Sequence, residues 1–264
     1  MQFHAIQHDV FTGDYKATRA CVEKLIEQAK PCKNDYIVLQ EMTDTGWSLD
    51  IEAITNVGTL EWASALAKKL DVWIQTGWAK KINERAYNCA AVCSPDGSIV
   101  ANYTKVFTCN PLGENKHYDE GNELYILHLN DISICPLICY DLRFAELWRL
   151  AALEGVDVFT ESSSWPLPRI HHWRTLICAR AIENQAFVVG SNRSGKDAIA
   201  HWGGSSLIVS PLGEVLAEAP ESGNHFISAT IDPEIAHNWR ASFPALDDVR
   251  KELLGNIKVT HIFG

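Results

Sequence analysis

Apolar and polar positions alternate in short runs along most of the chain, and longer stretches with a helical period separate those runs. FHAIQ near the N-terminus predicts a strand. Residues 15–29 place Val22, Leu25, Ile26 and Ala29 on one face of an amphipathic helix. YIVLQ (36–40) is a short apolar run and predicts a buried strand; residues 59–70 predict a second helix with Leu60, Ala63, Ala67 and Leu70 on one side. DVWIQTGWA, AYNCAAVCS and SIVANYT predict three strands, the last two joined by a hairpin turn at SPDG (94–97). Residues 106–122 show no period and predict an irregular excursion. ISICPLI (132–138) predicts a strand, 144–154 a helix, VDVFT a strand and 170–184 a helix. AFVVG (186–190), SSLIVS and EVLAEA predict strands with a turn at SPLG (210–213), and FISATI precedes a helix opening near Pro233. Strands linked by both hairpins and helical crossovers predict sheets covered by helices, an α/β class.

Composition narrows the function classes. The chain has 264 residues, 47% hydrophobic and 21% charged, enough for a substantial core. No Pro/Gly/Ser-rich linker or repeat divides it, so a single domain over 1–264 is expected. A net charge of −10 argues against nucleic acid and anionic membrane surfaces as partners, while leaving room for a small anion at one local Arg or Lys. No apolar run approaches the roughly 20 residues a bilayer requires, and MQFHAIQHDVF lacks the basic-then-apolar pattern of a signal peptide. The eight cysteines form no short-range framework, which predicts reduced thiols and a cytoplasmic location. The sequons at Asn102 and Asn192 carry no meaning there.

Three reactive side chains fall at strand ends. Cys139 closes the apolar run PLI and precedes a predicted helix, a position where backbone N–H groups favour a thiolate or an oxyanion. Glu41 follows YIVLQ directly, and Lys105 follows SIVANYT. Each alone is more often buried filler or a solvated loop charge than a catalytic group. A thiol nucleophile needs a proton acceptor; His171, His172 and His201 qualify by type, but none has a diagnostic setting. GSNRSGKD (190–197) imitates a phosphate loop, yet Asp197 stands where a hydroxyl is required and no helix of sufficient length follows. No His/Cys set has zinc spacing, so no metal and no cofactor are expected.

YIVLQEM, NYTKVF and PLICYDLRFAELWR resemble, in that order, the three signature segments of the nitrilase superfamily of carbon–nitrogen hydrolases. The likeness continues through ESSSWPLPR, HHWRTLICARAIENQAFVVGSNRSG and GGSSLIVSPLGEV to about residue 233. EMTDTGW, CYDLRF, SWPLPR and ARAIENQAFVVGSNR are most similar to the omega-amidase branch. The resemblance implies a four-layer α-β-β-α sandwich. It also implies hydrolysis of the terminal amide of a small carboxylic acid, such as the 2-oxo dicarboxylic acid monoamide 2-oxoglutaramate, through a cysteine thioester. In that scheme Cys139 is the nucleophile and Glu41 the general base, while Lys105 and the Tyr140 N–H stabilise the oxyanion and Glu114 helps position substrate. A homodimer is implied too, with the roughly thirty residues after position 233 packing on the partner subunit.

Several positions bear on substrate choice. Family members commonly read Lys-x-His-Leu-Phe where this chain has Lys105-Val-Phe-Thr-Cys, and Ser205 stands where relatives often carry Asp. Trp165 is either core or pocket wall; Arg169 and Arg193 are either carboxylate binders or structural ion-pair partners. His117 and Tyr118 belong to the pocket mouth or to the surface. Asp141, Arg143, Glu146 and Arg149 are expected to pair within their own turn and helix, with direct substrate contact as the alternative. Alternative readings are another branch of the superfamily (an N-carbamoyl amidohydrolase, a deaminated-glutathione amidase or a nitrilase) and a catalytically silent binding or assembly relative.

Overall fold

The computed structural model describes residues 1–253 and 258–263. The first half builds β1 (Gln2–Gln7), β2 (Tyr36–Val38), β3 (Trp73–Ile82), β4 (Arg85–Cys93), β5 (Ile99–Thr104) and β6 (Tyr118–Asp119). The second half supplies β7 (Glu123–Leu129), β8 (Ile132–Ile138), β9 (Val158–Ser163), β10 (Phe187–Asn192), β11 (Ser194–Lys196), β12 (His201–Gly203), β13 (Leu207–Val209), β14 (Val215–Glu218), β15 (His225–Thr230) and β16 (Lys258–Phe263). The helices are α1 (Tyr15–Ala29), α2 (Ile51–Ile54), α3 (Thr59–Leu70), α4 (Ala145–Ala152), α5 (Ile170–Asn184) and α6 (Pro233–Ser242). One sheet has the order β15-β1-β2-β3-β4-β5 with β6 on β4; the other has the order β14-β13-β10-β9-β8-β7-β16.

The two sheets pack face to face with helices outside, giving an α-β-β-α sandwich. Strand alternation decides which face each side chain takes. Phe3, Ala5, Tyr36 and Val38 meet Val158, Phe187, Val189 and Ile208 between the sheets. Ile6, Ile37, Leu39 and Ile74 point the other way, against Val22, Leu25 and Ile26 of α1 and Ala63, Leu66 and Ala67 of α3. Phe159, Val188 and Leu207 lie under Trp148 of α4 and Trp173 and Ile177 of α5. α1 starts where Asp14 accepts a hydrogen bond from the Ala17 N–H at 3.0 Å, and it ends at a left-handed Lys30. The sheets are also stitched by polar contacts: Ser162 Oγ donates to Leu39 O (2.7 Å) and Ser191 Oγ donates to Ile6 O (2.7 Å).

Strand direction sets the site. β2 and β3 are parallel, and the two antiparallel steps from β3 through β4 bring β5 back to the same direction. The residues after β2 and β5 therefore leave the sheet at one edge. β8, β9 and β10 are parallel neighbours in the second sheet, so their carboxyl ends also share an edge.

The structure adds elements the pattern did not predict. β7 occupies a stretch to which no element was assigned, α2 is a single turn, and β11, inside the segment that imitates a phosphate loop, forms a hairpin with β12 just beyond it. β16 runs parallel to β7, so part of the C-terminal stretch completes the chain's own sheet. Among the described residues no helix is long and apolar enough to cross a membrane, and no cysteine is paired in a disulfide.

Candidate active site

Cys139 succeeds β8 in a left-handed backbone conformation (φ 46°). For a side chain other than glycine this costs about 1–3 kcal/mol and persists only when the surroundings enforce it. Asp141 supplies much of that enforcement. Its buried carboxylate accepts from the Ile138 N–H (3.2 Å), the Phe107 N–H (2.9 Å) and the Tyr103 hydroxyl (2.7 Å). The Trp148 indole donates to Asp141 O (3.0 Å), and Arg180 Nη2 donates to Leu142 O (2.8 Å). Cys139 opens a short 3-10 turn, Cys139–Arg143, rather than an α-helix. The first N–H groups of this turn, that of Tyr140 among them, have no acceptor inside it.

Glu41 sits in an equally constrained bend. Met42 is left-handed (φ 46°), Thr43 Oγ1 donates to Gln40 O (2.7 Å), and the Thr43 N–H donates to Gly77 O (2.9 Å). Gly77 is required here. A Cβ at that position would lie 2.5 Å from Met42 N, 2.6 Å from Gln40 O and 2.7 Å from Glu41 Cα.

Glu41, Lys105 and Glu114 are each no more than 1% exposed. Lys105 Nζ donates to Glu41 Oε1 (2.9 Å) and to both oxygens of Glu114 (2.9 and 3.1 Å). Asn88, from the middle of β4, donates through Nδ2 to Glu41 Oε1 (2.7 Å) and Glu114 Oε1 (2.9 Å). Glu41 Oε2 accepts from the Ser164 N–H (3.1 Å), and Glu114 Oε2 accepts from the Cys109 N–H (2.6 Å).

The electrostatics reflect burial and these partners. Burial alone would depress the Lys105 ammonium, but Glu114 and then Glu41 hold its pKa well above the ordinary value, so it stays charged. Burial would raise Glu114; Lys105 and the Asn88 amide hold it below the carboxylate range. The Cys139 thiol is pushed well above its ordinary value, first by burial and then by the Glu41 charge, with Lys105 pulling weakly the other way. The resting thiol therefore keeps its proton, contrary to the expectation that its position at the start of a helix favours the thiolate.

Glu41, Lys105 and Cys139 line one narrow cavity of about 40 Å³. Tyr140, Ser164, Trp165 and Arg169 share its wall with Trp47, Trp202, Cys109 and Leu112. Trp165 is thus a pocket wall, and its indole N–H is satisfied by Arg169 O (2.9 Å). Two of the candidate substrate-binding residues stand outside this lining. Arg193 does not line this cavity: it is 1% exposed, pairs with Asp197 (2.8 Å) and lies 4.8 Å from the ring centre of Trp202. Glu114 does not line it either, and stands behind its wall, bonded to the lining residues Lys105, Cys109 and Trp47. His117 and Tyr118 stay outside as well; Tyr118 is buried, and its hydroxyl donates to Ser48 O (2.6 Å).

Arg143 is the reverse case. Of its two readings, pairing within the turn and helix or contact with substrate, the first does not hold: no ion pair joins any two of Asp141, Arg143, Glu146 and Arg149 among the described residues. Arg143 instead lines the cavity, its guanidinium 4.7 Å from the ring centre of Trp165. Neither Arg143 nor Arg169 has an ion-pair partner among the described residues, so two half-buried cations face the cavity unneutralised. Asn88 and Ser164 were also missed. A signal for Asn88 exists: it is the polar residue on the face that Ala86, Ala90 and Val92 make apolar.

The carbon–nitrogen hydrolase family model matches residues 5–241. A 2-oxoglutaramate amidase of Bacillus subtilis is 33% identical over 258 residues, covering 90% of this chain and 99% of that protein. An omega-amidase, YafV, of Yersinia enterocolitica is 33% identical over 252 residues, covering 94% and 96%. Among solved structures, the carbon–nitrogen hydrolase superfamily protein XC1258 from Xanthomonas campestris, which carries an arsenic adduct in its active site, superposes with a TM-score of 0.87 at 27% identity over 94% of this chain and 97% of that one.

Proposed function

The chain belongs to the carbon–nitrogen hydrolase family, and within it we propose that the protein hydrolyses the terminal amide of a small 2-oxo dicarboxylic acid monoamide, 2-oxoglutaramate being the model substrate. The observation that carries this reading is the composition of one small cavity. A carboxylate, an ammonium and a thiol line it, and two guanidinium groups with no ion-pair partner among the described residues stand on its wall. The first set suits amide cleavage; the second suits a substrate bearing carboxylates. Identities of 33% to a 2-oxoglutaramate amidase and to an omega-amidase support the same substrate class.

In the proposed cycle Glu41 Oε2 takes the Cys139 proton as the sulfur attacks the amide carbon. Because burial keeps the thiol protonated, transfer and attack proceed together. The oxyanion forms against Lys105 Nζ and the Tyr140 N–H, and removing one such donor typically costs about 2.7–4 kcal/mol. Glu41 returns the proton to the departing ammonia, leaving a thioester. It then deprotonates water, which attacks the thioester and releases the acid and the thiol. Positioned acid–base groups of this kind contribute about 10²–10⁴-fold. Glu114, bonded to Lys105 and outside the cavity, fixes the ammonium and keeps it charged. No step calls for a metal or cofactor. We place this activity in a single-domain cytosolic homodimer, which sedimentation would report as twice the 29.5 kDa chain mass.

The test is ammonia release from a panel containing 2-oxoglutaramate, carbamoyl compounds, deaminated glutathione and nitriles, with Cys139→Ala as the control. The expected result is fastest turnover of 2-oxoglutaramate and none by the variant. Preference for another member reassigns the branch. Turnover retained by Cys139→Ala removes the mechanism, and a wild type inert to the whole panel favours a silent binding relative.

A further inference from the structure

We propose that Asn88 is a positioning residue for the general base: its side-chain amide holds the Glu41 and Glu114 carboxylates side by side and keeps Glu41 Oε2 turned toward Cys139. The proposal rests on the amidase reading above. Its basis is geometric. Asn88 Nδ2 lies 2.7 Å from Glu41 Oε1 and 2.9 Å from Glu114 Oε1, so each of its protons meets a different carboxylate. The opposite orientation of the amide would set its oxygen against both carboxylates, which fixes the assignment. The backbone is tied in as well, since the Lys105 N–H donates to Asn88 O (2.8 Å). Asn88 therefore spans the bend after β2, the end of β5 and the loop bearing Glu114.

The choice of an amide has a reason. Two carboxylates sharing a buried site repel, and one of them would ordinarily take up a proton. Lys105 alone offsets one charge. A second cation at position 88 would hold protons off Glu41 and weaken it as a base, whereas an apolar residue would leave both Oε1 atoms a donor short. The amide stabilises both anions while adding no charge. With Oε1 of Glu41 occupied by Lys105 and Asn88, only Oε2 remains for proton transfer. The Ser164 N–H that meets Oε2 at 3.1 Å also acts on the Cys139 thiol, which places Oε2 on the cavity side.

Other ionisable groups surround this cluster. Cys139 and Glu161 act on Glu41, Tyr118 on both carboxylates, Cys109 on Glu114, and Asp141 on Lys105. Burial keeps Cys109, Tyr118, Cys139 and Glu161 protonated, and pushes Asp141 up to about 7. All of them are unchanged in an Asn88 variant, so a shift of the acid limb reports the loss of the amide.

The experiment measures kcat, KM and the pH profile of kcat/KM for Asn88→Ala and Asn88→Ser, with folding checked by near-UV circular dichroism. For Asn88→Ala the expected result is a kcat loss of about 100-fold, within the range of acid–base catalysis, with KM changed less than about threefold. The acid limb should move to higher pH by at least about half a unit, because the ionised carboxylates lose a donor. Asn88→Ser, which keeps one donor, should fall between Asn88→Ala and the wild type. A folded variant with the wild-type kcat and acid limb overturns the proposal. So does a rate loss with an unmoved limb, which is what a purely structural role predicts. If Asn88→Ala fails to fold, Asn88→Ser decides by the same criteria. A wild type without amidase activity is a different failure, that of the functional reading itself.

Discussion

Replacing Arg143 with methionine separates the two halves of the proposed substrate recognition. The guanidinium lies 4.7 Å from the Trp165 ring centre, lines the cavity and has no ion-pair partner among the described residues. Methionine keeps an apolar stem over the indole and removes only the charge and its donors. A hydrogen bond to a charged group contributes about 1.5–3 kcal/mol, so kcat/KM for 2-oxoglutaramate should fall roughly 10- to 150-fold. The neutral amide of equal length, pentanamide, offers no carboxylate, and its already low kcat/KM should change by less than about threefold. Arg169→Met should show the same asymmetry. Initial rates of ammonia release for both substrates, with thermal unfolding to check the fold, decide the matter. Equal losses on the two substrates would mean that Arg143 supports the wall rather than the carboxylate. No loss on either would remove it from recognition altogether.

The packing and the buried charges dictate other outcomes. Gly77→Ala forces a methyl group onto the backbone at Gln40, Glu41 and Met42; a destabilisation of about 1–3 kcal/mol and a kcat loss of more than about 100-fold are expected from denaturant unfolding and initial rates. Lys105→Met leaves Glu41 and Glu114 buried without their cation and should cost about 3–5 kcal/mol of stability. Adding Glu114→Gln should recover part of that stability but none of the activity, as urea midpoints and ammonia assays would report. His8 is buried, donates to Thr43 O (2.9 Å), and is held by burial near a pKa of about 4. Between that value and its ordinary 6.5 the unfolded chain binds the extra proton, so stability rises with pH through this window and falls on acidification by about 3 kcal/mol. His8→Gln, which keeps a donor, should flatten urea midpoints between pH 4 and 6.5.

Much of this was legible in the sequence because the reactive residues stand where apolar runs stop. The ends of YIVLQ, SIVANYT and PLI mark strand exits, and parallel neighbours send those exits to one edge. The features that stayed hidden depended on contacts between distant segments. β16 acquires its meaning only from β7, far away in the chain, and β7 is hard to see because it is apolar on both faces, Leu124 and Ile126 on one and Leu127 and Leu129 on the other, so no alternation marks it. The choice between alternatives at Arg143 and Arg193 depended on the same kind of contact. Helical spacing offers Arg143 one acidic partner, Glu146 at i+3, but Arg143 ends the 3-10 turn and the α-helix starts only at Ala145, so the two do not share a helix. For Arg193 the ion-pair reading was open from the sequence, but its partner was not named, because Asp197 meets it in the β11–β12 hairpin. The Cys139 thiol illustrates a further limit. The sequence shows the lysine that would ionise it but not the depth of burial that outweighs the lysine.

The pairing of β1 with β15 joins Gln2 to Thr230 across most of the chain. During translation at about 5–20 residues per second, roughly 11–46 s separate the emergence of those two partners from the ribosome. β2 can cover one flank of β1 soon after it appears, since Phe3 pairs with Tyr36. The opposite flank stays open until β15 is made, a row of unpaired backbone groups that invites association between neighbouring nascent chains. A product that stops short of residue 225 would keep Glu41, Lys105 and Cys139 and still be prone to aggregate.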